Sequence, residues 1–139
     1  MEPPKQKTRG IRNNNPLNIE KGASWLGLSG QQTDPRFAQF RTMLYGLRAA
    51  FVIIRNYMRY YPINTISGII NRWAPPKEND TASYIRTVSQ RSHIAPDEKL
   101  KFTDRDRMVA IVSAMAWVES SATFETDLLN KAYALALKA

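Results

Sequence analysis

Residues 104–121 read DRDRMVAIVSAMAWVESS, and their apolar spacing predicts the best-defined helix of the chain. Thr103 is expected to cap this helix, with Asp104 and Asp106 in the first turn, where acidic side chains are favoured. Steps of three and four residues place one apolar stripe on its inward face. The stripe contains Met108, Ile111, Val112 and Met115 and ends at Glu119. The pattern therefore brings a carboxyl group to the edge of the core.

The position of Glu119 allows two interpretations. Burial disfavours the charged form of a carboxyl, so a Glu in an apolar wall keeps its proton to higher pH, as a general acid requires. Alternatively, the side chain reaches water beyond the last turn of the helix and does no chemistry. The spacing alone favours the second interpretation, and the surrounding sequence has to decide.

The rest of the chain predicts a mainly α fold of the α+β class, with about five helices. Helical periodicity covers residues 42–61, 65–74, 80–91 and 126–138, with Asn64 or Thr65, and Asn79 or Asp80, as caps. Two short apolar segments, SWLGL (24–28) and RFAQF (36–40), predict a small hairpin or irregular ribbon near the N-terminus. We expect a disordered basic tail over residues 1–9 and a single domain over residues 10–139.

Composition excludes several classes of site. The 139 residues fit one domain, and they include no cysteine and a single histidine, His93, in a polar stretch. We therefore expect no metal and no cofactor. No stretch approaches the roughly 20 apolar residues of a membrane span, and the N-terminus lacks an apolar signal region. The net charge of +8 suits a polyanionic partner, but the basic residues are scattered and match no nucleic-acid motif.

An asparagine-rich segment, RGIRNNNPLNIE, occupies residues 9–20. Asparagine side chains bond to nearby backbone in turns, so an Asx-rich loop explains the segment without any function. The alternative is a wall of amide donors and acceptors that binds an uncharged polar ligand such as an N-acetylated sugar. The side chains that this alternative predicts as ligands are Asn13, Asn14, Asn15 and Asn18.

A second distinctive segment, RWAPPKENDTASY, occupies residues 72–84. Helix capping accounts for Asn79, Asp80 and the two prolines, and Trp73 fits a core position. The alternative is that Trp73 and Tyr84 stack on sugar rings and that Asn79 and Asp80 line a binding groove.

The motifs of this chain resemble those of a phage and prophage family whose members are virion structural proteins or peptidoglycan-degrading proteins of the lysozyme-like superfamily. The resemblance covers residues 9–120 and rests on RGIRNNNPLNI, WLG, DPRFAQF, YGLRA, RWAPPKENDTASYI and AMAWVES. The GIRNNNP-N and RWAPP-END motifs are its most distinctive parts. It implies a lysozyme-like helical domain that binds the glycan strands of bacterial peptidoglycan.

The stretch SAMAWVESSATF is similar to the helix end that carries the catalytic Glu in soluble lytic transglycosylases. In those enzymes that helix comes first, whereas here it lies near the C-terminus. A circularly permuted lysozyme-like fold reconciles the two orders, since the termini of compact domains often lie close together. NPLNI would then match the strand that faces the catalytic Glu, with Asn18 in the position of a Gln, and NDTASYI would line the glycan groove.

The resemblance implies that Glu119 is the catalytic acid for cleavage of the MurNAc–GlcNAc bond. Glycosidases normally use two carboxyls, but lytic transglycosylases are similar to a one-carboxyl variant that forms a 1,6-anhydro sugar. Asp34 and Asp80 are the candidates for a second carboxylate if water attacks instead. Glu20 follows Ile19, and neighbouring side chains in an extended segment point in opposite directions. Glu20 is therefore expected to point to solvent.

Three functions compete at this point. The first is a peptidoglycan-degrading muramidase or lytic transglycosylase, and the second is a virion structural or glycan-binding protein with reduced or no catalysis, which would contact other virion proteins. The third is a small basic nucleic-acid-binding protein. For the first two, we expect synthesis in the host cytoplasm without a signal peptide. The protein would then act on the periplasmic cell wall as an endolysin or be carried in the virion.

Overall fold

The computed structural model describes residues 7–139, and that part of the chain contains six helices. These are α1 (Arg9–Arg12), α2 (Met43–Tyr60), α3 (Ile66–Trp73), α4 (Thr81–Ser92), α5 (Arg105–Ser120) and α6 (Thr126–Leu137). The mainly helical class is confirmed, and α2 to α6 correspond to the five predicted helices. The additional helix α1 has four residues (RGIR), too few to show an apolar period.

Side-chain caps define the starts of three helices. Thr65 caps α3 by accepting a hydrogen bond from the Gly68 amide, and Asp80 caps α4 by accepting one from Ser83. The prediction of Thr103 as the cap of α5 is wrong by one residue. Asp104 caps that helix, because its carboxylate accepts from the Arg107 amide. A carboxylate at this position also interacts favourably with the positive end of the helix dipole.

The predicted hairpin is reduced to two isolated antiparallel bridges, which pair Glu20 with Phe37 and Leu28 with Phe40. Backbone hydrogen bonds flank each bridge, and side chains add further bonds to the backbone of this region. Gln32 donates to the Gln39 carbonyl at 2.7 Å, and the Gln39 amide donates to the Gln32 side chain at 2.9 Å. Because polar side chains satisfy the backbone, a continuous strand pair is not needed there.

The core surrounds α2, on which Leu47, Phe51 and Ile54 are completely buried. Helix α2 packs against α6, and α5 packs against both α4 and α6. No helix within residues 7–139 combines the length and the apolar composition needed to cross a lipid bilayer.

The N-terminal segment is attached to the end of α5. The Thr8 hydroxyl donates to the Ser120 carbonyl at 3.0 Å, and Arg9 already belongs to α1. Residues 7–9, which were predicted to lie in the tail, therefore contact the folded part of the chain. The rest of that tail, residues 1–6, lies outside the described residues.

Candidate active site

Helix α5 carries the predicted apolar stripe. Met108, Ile111, Val112 and Met115 are buried, and Glu119 is half-buried one residue before the helix ends. Ser121 then adopts a left-handed conformation with φ of 53° and terminates the helix. The spacing argument is confirmed, because the face that forms the core also holds the Glu119 carboxyl.

Two side chains from distant parts of the sequence donate hydrogen bonds to that carboxyl. The Asn18 amide lies 3.2 Å from Oε1, and the Tyr84 hydroxyl lies 3.0 Å from Oε2. Burial raises the pKa of Glu119, and the nearby donor groups of Asn18, Tyr84 and Trp73 lower it by less. The net direction is upward, which keeps a larger fraction of the carboxyl protonated than in a solvated Glu.

The Tyr84 side chain is suited to this contact. Its ring is 8% exposed, and burial followed by the charge of Glu119 raises its pKa well above the ordinary value. The hydroxyl therefore keeps its proton and acts as a donor. The ring is not exposed along the cleft, so the predicted sugar stacking of Tyr84 is replaced by a role in holding Glu119.

The loop before Ile19 closes on the last turn of α5. Asn18 has a φ of 54°, a left-handed conformation that Asn tolerates better than most residues. Its amide also donates to the Glu119 carbonyl at 3.2 Å, and the Ser120 hydroxyl donates to the Pro16 carbonyl at 2.7 Å. These bonds hold the carboxyl-terminal end of α5 in a defined position against the loop.

Glu119 lies on the wall of an open cleft of about 560 Å³. One side is formed by the N-terminal region, through Leu17, Asn18, Ile19, Glu20, Arg36 and Phe37. The other side is formed by α2, the end of α3 and the following loop, through Ile53, Tyr57, Trp73, Ala74, Pro75, Glu78 and Asn79. The volume is within the range of small-molecule sites, which is about 300–1,000 Å³.

The first three asparagines of the Asn-rich segment are engaged within the protein. Asn15 is completely buried and donates to the carbonyls of Ile19 and Ala38. The Asn14 amide donates to the carbonyls of Phe40 and Arg41. The structure does not bring these side chains or Asn13 to the cleft, so the Asx-loop interpretation describes their geometry. Asn18 is the member of the segment that reaches it.

Asp34 occupies a separate, saturated site. Arg9 donates to both of its oxygens at 2.6 and 2.7 Å, and Asn13 donates at 2.9 Å. The backbone amides of Arg36 and Phe37 add two more hydrogen bonds, and the Arg9 guanidinium holds the pKa of Asp34 far below its ordinary range. The lowered pKa favours the ionised form of Asp34, which lies outside the cleft, and the structure does not place it as a second carboxylate.

The predicted residues of the RWAPP motif are only partly brought together. Trp73 and Asn79 line the cleft, and the Asn79 amide donates to the Pro75 carbonyl at 3.0 Å. Asp80 does not line it, because its carboxylate is used as the cap of α4.

Sequence reasoning missed two carboxylates at the cleft. Glu20 and Glu78 both line it, and both are exposed. Glu20 is solvent-exposed as predicted, but it also accepts from Arg36 at 2.9 Å on the cleft wall. No local signal marks either residue, since each is an ordinary surface Glu in a loop. Within residues 7–139, no three His, Asp or Glu side chains cluster closely enough to hold a metal ion.

Comparisons with known proteins support the phage origin that the motifs indicate. No protein-family model matches the chain. It is 38% identical over 133 residues to protein P5 of Pseudoalteromonas phage PM2, and the alignment covers 92% of this chain and 81% of that protein. The chain therefore belongs to the family of phage PM2 protein P5.

Proposed function

We propose that the protein degrades peptidoglycan by cleaving the MurNAc–GlcNAc glycosidic bond, with Glu119 as the general acid and base. The observation that carries the proposal is the desolvated Glu119 carboxyl, which lies on the wall of a cleft large enough for a sugar ligand. A carboxyl whose pKa is raised by burial in a cleft is a candidate for acid catalysis.

The contacts of Glu119 suit proton transfer. A carboxylate has about four lone-pair positions, and Asn18 and Tyr84 occupy one on each oxygen. One of the remaining positions holds the acidic proton, which the glycosidic oxygen of the substrate can accept. The two donors also orient the carboxyl, as efficient general acid catalysis requires.

The reaction follows from this arrangement. Protonated Glu119 gives its proton to the glycosidic oxygen, and the bond from that oxygen to C1 of the muramoyl residue breaks. The muramoyl 6-hydroxyl then attacks C1 and transfers its proton to the Glu119 carboxylate. The products are a 1,6-anhydromuramoyl end and a free 4-hydroxyl, and Glu119 returns to its protonated form.

A second carboxylate is not required by this scheme. If water attacks C1 instead, a general base has to lie across the substrate from Glu119. Glu20 and Glu78 are the cleft carboxylates that could serve in that case, whereas Asp34 and Asp80 are engaged elsewhere. The structure of the products distinguishes the two schemes.

The placement of the NPLNI loop supports a permuted lysozyme-like arrangement. Asn18 contacts Glu119 across 101 residues of sequence. This is the spatial relation that the resemblance to lytic transglycosylases implies for the loop and the catalytic helix. We propose that the chain keeps this arrangement while the helix that carries the Glu has moved from first to near last.

The alternative function is a virion structural or glycan-binding protein that uses the same cleft without catalysis. The family relationship to a phage protein is compatible with it. Under that alternative, Glu119 contributes only to binding, and the purified protein leaves glycan strands intact.

The deciding experiment is mass spectrometry of muropeptides after incubation of peptidoglycan with purified protein. We expect 1,6-anhydro products from the wild type and none from Glu119→Gln. Reducing sugars in place of anhydro ends would keep Glu119 as the acid but replace the muramoyl hydroxyl with water. Intact glycan strands that nevertheless bind the protein would establish the alternative function.

A further inference from the structure

A second depression adjoins the cleft. It has a volume of about 630 Å³, and its wall shares Tyr57 and Pro75 with the wall of the cleft. The remaining lining comes from the loop before α3 and from α3 itself, through Ile63, Gly68, Asn71 and Arg72. Arg72 and Trp73 are neighbours on the last turn of α3, so one turn of helix contributes an arginine to the depression and a tryptophan to the cleft.

Aromatic rings hold the Arg72 guanidinium in place. It lies 3.9 Å from the centre of the Tyr61 ring and 5.2 Å from the centre of the Tyr57 ring. Stacking uses the faces of a guanidinium and leaves the N–H groups at its edge available to acceptors. The two rings therefore favour one placement of the Arg72 guanidinium, with its edge donors open to a ligand.

Arg72 has no carboxylate partner among residues 7–139, which it shares with most arginines of the chain, but it is the arginine that lines the depression. Arg9 pairs with Asp34, Arg36 with Glu20, and Arg107 with Glu98 and Asp104. A planar guanidinium with free edge donors is suited to bidentate recognition of a carboxylate. The depression thus presents a ring-stacked cation without a carboxylate partner beside the cleft.

We propose that Arg72 binds a carboxylate of the stem peptide that peptidoglycan carries on its muramoyl residues. The inference rests on the proposed function, because it assumes that the glycan strand lies in the cleft. The stem peptide leaves the strand laterally and carries free carboxylates. A strand in the cleft would therefore place carboxylates beside it, and the depression offers an adjoining space with a positive charge.

The test compares two soluble probes. One is a MurNAc–GlcNAc tetrasaccharide with its stem peptides, and the other is the same glycan after removal of the peptides. Binding of both is measured by calorimetry in a Glu119→Gln background, so that neither probe is cleaved. With Arg72 present, we expect the peptide-bearing probe to bind about ten-fold tighter or more, as for a charge-assisted hydrogen bond.

The variant Arg72→Gln should bring the ratio of the two dissociation constants close to one. Arg59→Gln is the matched control, because Arg59 also stacks on a tyrosine (5.5 Å from the centre of the Tyr60 ring) but lines neither the cleft nor the depression. It should keep the ratio. Arg72→Lys keeps the charge without the planar fork. The ratio of the two dissociation constants should therefore be smaller than with Arg72 but still differ from one.

Two outcomes overturn the proposal and remain distinguishable. If both probes bind equally with Arg72 present, or if the ratio survives in Arg72→Gln, the glycan cleft stands and the stem-peptide site is wrong. If neither probe binds, the proposed function fails and the inference fails with it.

Discussion

Asp34 and Glu119 are both carboxyls with little access to solvent, yet their surroundings differ in the number and charge of donors. Asp34 receives five hydrogen bonds, two of them from the Arg9 guanidinium. Glu119 receives one neutral side-chain bond on each oxygen and has no cation paired with it among residues 7–139. The pKa of Asp34 is lowered mainly by Arg9, and the pKa of Glu119 is raised mainly by burial.

The opposite directions of the two pKa shifts have opposite consequences for stability. The lowered pKa of Asp34 contributes stability above the ordinary pKa of 3.8, and this contribution is lost as pH falls below that value. The raised pKa of Glu119 means that the folded state binds its proton more tightly. Stability is therefore lost as pH rises from the ordinary 4.5 through the folded pKa of Glu119. Asp34 has the properties of a structural carboxylate, and Glu119 has those that the proposed acid requires.

The sharpest test of this contrast exchanges each carboxyl for its amide. Glu119→Gln cannot donate the proton, so activity should fall by about 10²–10⁴-fold. Its Tm at pH 7 should be no lower than that of the wild type, because a buried charge is removed. Asp34→Asn should lower the Tm and keep the activity of the folded protein close to the wild-type value. Thermal unfolding and muropeptide release measure both effects, and the contrast is wrong if the two variants behave alike.

Gly10→Ala tests whether the N-terminal loop positions Glu119. An added Cβ would overlap the Ser120 hydroxyl and lie 2.9 Å from the Asn15 carbonyl and 3.1 Å from the Asn18 amide oxygen. Overpacking of this kind costs about 1–3 kcal/mol, so the free energy of unfolding of Gly10→Ala should fall by about that amount. Because misplacement of a catalytic group by about 1 Å can cost about 10²-fold in rate, the rate of muropeptide release should fall as well.

Gly30→Ala is the control for Gly10→Ala, since its added Cβ meets no atom within 4 Å. It should leave both stability and rate near wild type. A Gly10→Ala protein that melts early but cleaves normally once folded would show that the loop stabilises the fold without positioning the acid.

Tyr84→Phe tests the donor to Glu119 with a smaller expected effect. Loss of the hydroxyl removes a bond that favours the carboxylate, so the pKa of Glu119 should rise further. In a pH profile of kcat/KM, activity falls on the alkaline side as Glu119 loses its proton. In Tyr84→Phe, this fall should occur at higher pH. A purely structural role for the hydroxyl would lower the rate at every pH without moving this fall.

Glu20→Gln and Glu78→Gln should have the smallest effects. In the one-carboxyl scheme neither residue takes part in the chemistry, and an exposed ion pair such as Arg36–Glu20 contributes only about 0–1 kcal/mol. Initial rates of muropeptide release should stay near wild type for both. A loss comparable to that of Glu119→Gln in either variant would identify the base that activates water.

Sequence alone determined helices α2 to α6 and the position of Glu119 on the inward face of α5. Both follow from a period of 3.6 residues, which is a property of local backbone geometry. The sequence also offered Thr65 and Asp80 among the candidate caps, and both cap their helices. The motifs indicated the relationship to phage proteins.

Only the tertiary structure decided which carboxyl is surrounded by hydrogen-bond donors and which faces the cleft. Asp34 meets Arg9 across 25 residues, Tyr84 meets Glu119 across 35, and Asn18 meets Glu119 across 101. Such contacts depend on how loops close and helices pack. The spacing of apolar residues along the sequence does not predict them. The pKa of a carboxyl is set by burial and by the donors around it, so the chemistry of Glu119 depends on contacts that local sequence does not specify.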